Sequence, residues 1–220
     1  MPTNLQDQLD AITQRTRELV PADRLSVSEK VVEDLFAAGV EDRIPAVGSV
    51  APAFALRNAN EHMVRSEDLL ALGPLVVKFF RGRWCPYCVT EMEAWRDLYE
   101  EVRALGALLV GISPQTTRQS DFMTDQHGVQ FPLLWDEGCT LAAQFGLAYE
   151  IPGEQRLDYR EMLLTLPFVN GDEKWQLPIP ATFVIGQDGK ILFADAHADF
   201  RVRTEPEEVL RVLRGIAAGH

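Results

Sequence analysis

Val76-Val77-Lys78-Phe79-Phe80-Arg81-Gly82-Arg83-Trp84-Cys85-Pro86-Tyr87-Cys88 begins as an apolar run of strand length, turns at a glycine and ends in a Cys-x-x-Cys. From Val89 to Leu105 the apolar residues then recur at helical spacing. The thiols therefore sit where a strand hands over to a helix. The first turn of a helix carries unpaired backbone N–H groups and the positive end of the helix dipole, both of which favour a thiolate. Pro86 suits the first helical position, so Cys85 becomes the cap residue and Cys88 lies one turn inside. Cys85 is expected to be the more acidic, accessible sulfur, with Cys88 close enough to form an intramolecular disulfide. Zinc binding is a competing use of Cys-x-x-Cys, but there is no second such pair and no His-x-x-x-His, and Cys139 with four scattered histidines makes a poor remainder. An inert structural pair is the third reading.

Working outward, Leu75 to Phe80 reads as a central strand, apolar except for Lys78. The helix beginning at Pro86 carries Cys88, Met92, Trp95, Leu98, Val102 and Leu105 on one face and stops at Gly106, and Ala107 to Ser113 is the next strand. This spacing makes a βαβ unit with parallel strands and a right-handed crossover. A helix follows over Thr117 to Gln126, then a short strand around Phe131 to Leu134 and a helix over Gly138 to Phe145. Ile179 to Phe193 reads as two β runs around Asp188-Gly189, an antiparallel hairpin. Thr204-Glu205-Pro206-Glu207 then caps a final helix with Val209, Leu213 and Ile216 on its face.

Upstream, Leu5, Leu9, Ile12 and Leu19 mark one amphipathic helix; a second, begun by a capping box at Ser26 to Glu29, carries Val31, Val32, Leu35, Phe36 and Val40. Residues 1–43 thus form a two-helix extension that either packs on the core or makes a dimer contact. Residues 44–220 form the main domain. Within it, Val47 to Leu56 reads as a loop running into an edge strand, and Ser66 caps a short helix. An insertion at about 146–177, with a helix at Gln155 to Leu164, either shapes the substrate side or is a packed surface excursion.

The sequence of 220 residues is 46% hydrophobic and 25% charged, as in one ordinary soluble domain with appendages. No apolar run approaches membrane-spanning length, and the polar stretch Met1 to Asp10 lacks the features of a signal peptide. With three cysteines, two of them in one motif, a reducing, cytoplasmic location is expected. The net charge of −12 argues against nucleic acid and anionic membranes as partners.

The element order, with a dithiol at the start of the first core helix and Pro180 just before the late hairpin, resembles the thioredoxin fold: three α/β/α layers around a mixed sheet. Arg81 to Cys88, Ile112-Ser113-Pro114-Gln115, Phe145-Gly146-Leu147, Leu177 to Thr182 and Asp188-Gly189-Lys190-Ile191 resemble, more specifically, the alkyl hydroperoxide reductase/thiol-specific antioxidant family in its peroxiredoxin-like branch. The resemblance implies that Cys85 is oxidised by a hydroperoxide to a sulfenic acid, that Cys88 condenses with it, and that thioredoxin or a glutathione/glutaredoxin system reduces the disulfide. This chemistry needs no cofactor and no metal. Well-characterised peroxiredoxins carry a Pro seven and a Thr or Ser three residues before the peroxidatic Cys, where this sequence has Lys78 and Gly82. Pro180 likewise stands where they carry an Arg.

Arg81 and Arg83 are candidates to replace those donors electrostatically, against the plainer reading of solvated loop charges. Trp84 is expected over the dithiol. The Pro86-Tyr87 dipeptide resembles glutaredoxin, and a cis Ile179–Pro180 bond is expected to set a backbone edge beside the disulfide. These features support a second reading, a thiol-disulfide oxidoreductase; a third is a non-enzymatic redox sensor or binding module. Cys139 reads as a distant resolving thiol or a buried one, Glu91 as a proton relay or a solvent-facing residue. His62, His127, His197 and His220 read as surface or capping residues without acidic partners.

Overall fold

The computed structural model describes residues 4–219. Leu5 and Leu9 stand one turn apart on α1 (Leu5–Leu19), which Asn4 caps by accepting the Asp7 N–H at 2.8 Å. Both leucines are buried against the helix that follows the dithiol, whereas Leu19, past the packed turns, is 71% exposed. Pro21 ends this helix and begins α2 (Ala22–Ala37), four residues ahead of the expected capping box. Ser26 lies inside it and donates to the Asp23 carbonyl at 2.6 Å, because a helix already begun leaves it no free N–H to cap. Val31, Val32 and Leu35 face the core.

The expected edge strand falls slightly later, as β1 (Ala55–Asn58), and pairs antiparallel with β2 (Met63–Arg65), a partner not expected from the sequence. Next come α3 (Ser66–Leu70), β3 (Leu75–Phe79), α4 (Pro86–Ala104) and β4 (Leu108–Ser113). Every residue of β3 is buried, as a strand covered on both faces requires. β3 and β4 are parallel, with Leu75 opposite Leu108 and Phe79 opposite Ile112. Then α5 (Thr117–His127) ends at Gly128, which takes the left-handed φ of 65° that glycine adopts without strain. β5 (Leu133–Trp135) lies parallel to β4, and a 3-10 turn at Glu137–Cys139 leads into α6 (Thr140–Gln144).

The insertion has its own order. β6 (Ala148–Glu150) pairs antiparallel with β7 (Gln176–Pro178), enclosing α7 (Gly153–Glu161) and α8 (Leu166–Asn170) around Ile151, Tyr159, Leu166, Trp175 and Leu177. β8 (Ala181–Ile185) and β9 (Ile191–Ala196) form the expected hairpin before α9 (Pro206–Ala217). The main sheet runs β2-β1-β5-β4-β3-β8-β9, mixed because β8 is antiparallel to β3. Alternate β3 residues feed two cores: Leu75, Val77 and Phe79 on one face, Val76 with α1, α4 and α9 on the other. The three-layer thioredoxin arrangement follows, with the N-terminal helices packed onto it.

The Ile179–Pro180 bond is trans, against the cis bond expected; the described residues contain no cis peptide. The backbone passes straight from one strand to the next here. The Ile179 N–H donates to Leu147 O at 2.9 Å and the Pro180 carbonyl accepts from the His197 N–H at 3.0 Å, so extended pairing on both sides leaves no turn for a cis bond to make.

Candidate active site

Cys85 is the N-cap of α4 with Pro86 behind it, as the motif dictates. Both cysteines are reduced and buried. Burial alone would raise the Cys85 pKa; a hydrogen bond from Cys88 and the guanidinium groups of Arg81 and Arg203 outweigh it and bring the thiol down to about 6. Burial and the adjacent Cys85 push Cys88 the other way, well above the ordinary thiol range. The pair therefore divides into one thiolate and one thiol at neutral pH.

Arg81 is buried, not a solvated loop charge. Its guanidinium lies 4.3 Å from the Phe200 ring and 4.8 Å from that of Trp84, donates to the Tyr159 hydroxyl, and keeps Nε without a protein partner. Arg83 turns away: its N–H and Nε donate to Gln115 and Gln119 at 2.8 and 2.5 Å, and its guanidinium lies 5.3 Å from Phe122. Trp84 packs edge-on against Tyr159 at 5.5 Å. Gly82, with φ of 149°, could hold no side chain here, since a Cβ would lie 2.6 Å from the Trp84 Nε1. The indole thus occupies the space a threonine would need.

Cys85 is not at the surface as expected. It lies at the floor of a cavity of about 460 Å³, walled by Thr16 and Leu25 from the N-terminal helices, Met162 and Leu163 after α7, Trp84 and Phe200. A hydrogen bond at 3.1 Å between Thr13 and Tyr87 anchors α1 to α4. Leu163, at the rim, is 93% exposed and holds a left-handed φ of 59° at the position after α7 where glycine is usual.

Behind Cys88 lies a buried ionic cluster. Glu91, read as a proton relay or a solvent-facing residue, is fully buried and ion-paired with Lys78 of β3 at 2.5 Å and with Arg203, before α9, at 2.7 Å. Lys78 also donates to Thr182, and Arg203 to Cys88 Sγ at 3.5 Å. Arg203, Tyr159 and Lys78 were not read from sequence as site residues. Lys78 was legible as the one charge in a buried strand; the others arrive from 78 and 115 residues away without a motif. Elsewhere, His127 and His197 do have acidic partners, Glu93 at 3.0 Å and Asp195 at 2.9 Å; His220 lies outside the described residues. Pro180 is buried beside the β8–β9 pairing.

A cap-position thiolate and a second thiol one turn on, in a thioredoxin-type sheet, define a thiol-based redox enzyme. Residues 47–194 match the AhpC/TSA family. The chain belongs to that family and is a thiol-dependent peroxidase of the peroxiredoxin kind. A Mycobacterium tuberculosis protein bearing a peroxiredoxin name is 28% identical over 173 residues, 78% of this chain and 98% of its own. The crystal structure of peroxidoxin BcpB from Mycobacterium tuberculosis aligns at 27% identity and a TM-score of 0.61, covering 77% of this chain and 97% of that one. Peroxiredoxin Q of Xanthomonas campestris shares the fold, with a TM-score of 0.58 at 20% identity over 74% of this chain and 91% of its own. Among the described residues no helix is long and apolar enough to cross a membrane.

Proposed function

We propose that Cys85 is the peroxidatic thiolate and Cys88 its resolving partner, in a cytoplasmic peroxidase that thioredoxin, or a glutathione/glutaredoxin couple, re-reduces. The carrying observation is the Cys85 thiol lowered to about 6 at the floor of a cavity that it shares with Arg81. The thiolate attacks one oxygen of a hydroperoxide, the O–O bond breaks, and the departing alkoxide takes a proton. Arg81 stabilises that developing negative charge through N–H groups already held in a water-poor site, the work done elsewhere by the absent threonine and late arginine. Trp84 keeps Arg81 in place. Arg83, bonded to α5, lines the neighbouring groove and serves the approach of the reductant. Pro180 supports the strand beside the site. The N-terminal helices and the insertion at about 146–177 act as walls of the site rather than as a separate unit, and the protein works as a monomer or a homodimer.

Peroxide consumption in an NADPH, thioredoxin reductase and thioredoxin relay tests this reading. Turnover should be lost in Cys85→Ser, and Cys88→Ser should retain one round of oxidation without steady cycling. Equal turnover in Cys85→Ser and the parent protein would defeat the assignment.

A further inference from the structure

The sulfur that no peroxide meets is the more elaborately held of the two. Cys88 Sγ accepts the Arg81 backbone N–H at 3.4 Å and Arg203 Nη2 at 3.5 Å. Arg203 is fixed in turn: Nε donates to Glu91 at 2.7 Å, and Nη1 to the carbonyls of Val202, at 2.7 Å, and Phe200. The other Glu91 oxygen meets Lys78 at 2.5 Å. None of Cys88, Glu91, Lys78 and Arg203 lines the cavity above Cys85. A cluster with no access to substrate, aimed at one sulfur, has work to do after the peroxide has left.

We propose that Arg203, braced by Glu91 and Lys78, is a positioning residue for disulfide closure: it holds Cys88 Sγ toward Cys85 and stabilises the negative charge that develops on Cys88 as it loses its proton. This rests on the assignment of Cys85 as peroxidatic and Cys88 as resolving. In the reduced pair the charge resides on Cys85, whose hydrogen bond and charge help to keep Cys88 protonated. Oxidation turns Cys85 into a neutral sulfenic acid, and that opposition disappears. The Arg203 and Arg81 donors remain, so Cys88 can now give up its proton. Cys88 sulfur attacks Cys85 sulfur, the S–S bond forms as the S–O bond breaks, and the departing hydroxide takes the Cys88 proton to leave as water. The Cys85 charge has by then left on the alkoxide, and the new charge that develops on Cys88 as its proton moves to the departing oxygen falls beside the same buried arginines.

The experiment separates the two steps. Enzyme mixed rapidly with hydrogen peroxide is quenched with an alkylating reagent, and mass spectrometry counts sulfenic acid, disulfide and sulfinic acid at Cys85. Measured at pH 8.5, to offset the share of the lowered Cys85 pKa that Arg203 supports, Arg203→Met should slow closure at least tenfold while Cys85 oxidation slows less than threefold, with sulfinic acid rising at excess peroxide. Arg203→Lys, which keeps the charge but loses the planar fork, should give an intermediate closure rate and covers the case in which the methionine variant does not fold. Glu91→Gln should show the same split at smaller size. Unchanged closure, or closure and oxidation falling together, would overturn the proposal. Failure of the parent protein to oxidise at Cys85 would instead remove the underlying assignment.

Discussion

Cys85 and Cys139 each stand just before a helix, each is 1% exposed and each is a free thiol. Burial pushes both upward, yet Cys85 falls to about 6 and Cys139 stays well above the ordinary range. A helix terminus contributes only about 0.3–1 kcal/mol, less than the ~1.4 kcal/mol of one pKa unit. It cannot offset burial by itself. The neighbours decide: the Cys88 hydrogen bond, then Arg81 and Arg203, beside Cys85; the carboxylates of Asp136 and Asp172 beside Cys139, with Lys174 opposing them only in part. A cavity of about 690 Å³ opens at the Cys139 end too, lined by Asp136, Gly138 and Thr140, but Cys139 does not reach it. Nothing beside that buried thiol lowers its pKa as the arginines do for Cys85.

The sharpest separation should come from alkylation of the folded protein with iodoacetamide at pH 7. Cys85 should react at least ~100-fold faster than Cys139, since only a thiolate attacks; comparable rates, read by peptide mass spectrometry, would erase the distinction. Removing the cation should move Cys85 toward Cys139. The Cys85 rate is lost as pH falls through about 6, because the low pKa belongs to the charged form. Arg81→Met should raise that midpoint by one unit or more; a rise of two units would lower the thiolate fraction at pH 7 roughly tenfold. An unmoved midpoint would transfer the effect to Cys88 and Arg203. The smallest change is expected from Cys139→Gly. Lost packing of the sulfur is opposed by relief of its left-handed φ of 54°, so thermal unfolding should shift by no more than about 1 kcal/mol.

What could be read from sequence were patterns confined to one element or its neighbour: the Cys-x-x-Cys after a buried strand, the parallel pair around α4, the hairpin around Asp188-Gly189. Those are local physics. Capping failed where a hydroxyl had a tertiary claim: Ser66 bonds Phe54, and Thr204 bonds Asp195. Glu91 reads as exposed because helical periodicity reveals which face is buried only when that face is apolar. Its partners come from a strand and from the segment before α9, and charge in a core leaves no periodic trace. Pro180 misled by analogy, since a proline between paired strands needs no cis bond. The cavity is the largest feature hidden from the sequence, because its walls come from α1, α2 and the insertion, elements whose own patterns state only that each has an apolar side.

Residues 203–205 carry a consequence for how the protein comes into being. Arg203 holds Cys88, and the Glu205 carboxylate clamps the backbone N–H groups of Leu5 and Gln6 at 3.1 and 2.7 Å, fixing the helix that covers the dithiol. During synthesis both sulfurs leave the ribosome some 115 residues ahead of the arginine that orders them. Until Arg203 is in place, the contacts that set the two thiols apart in the folded protein cannot all be made.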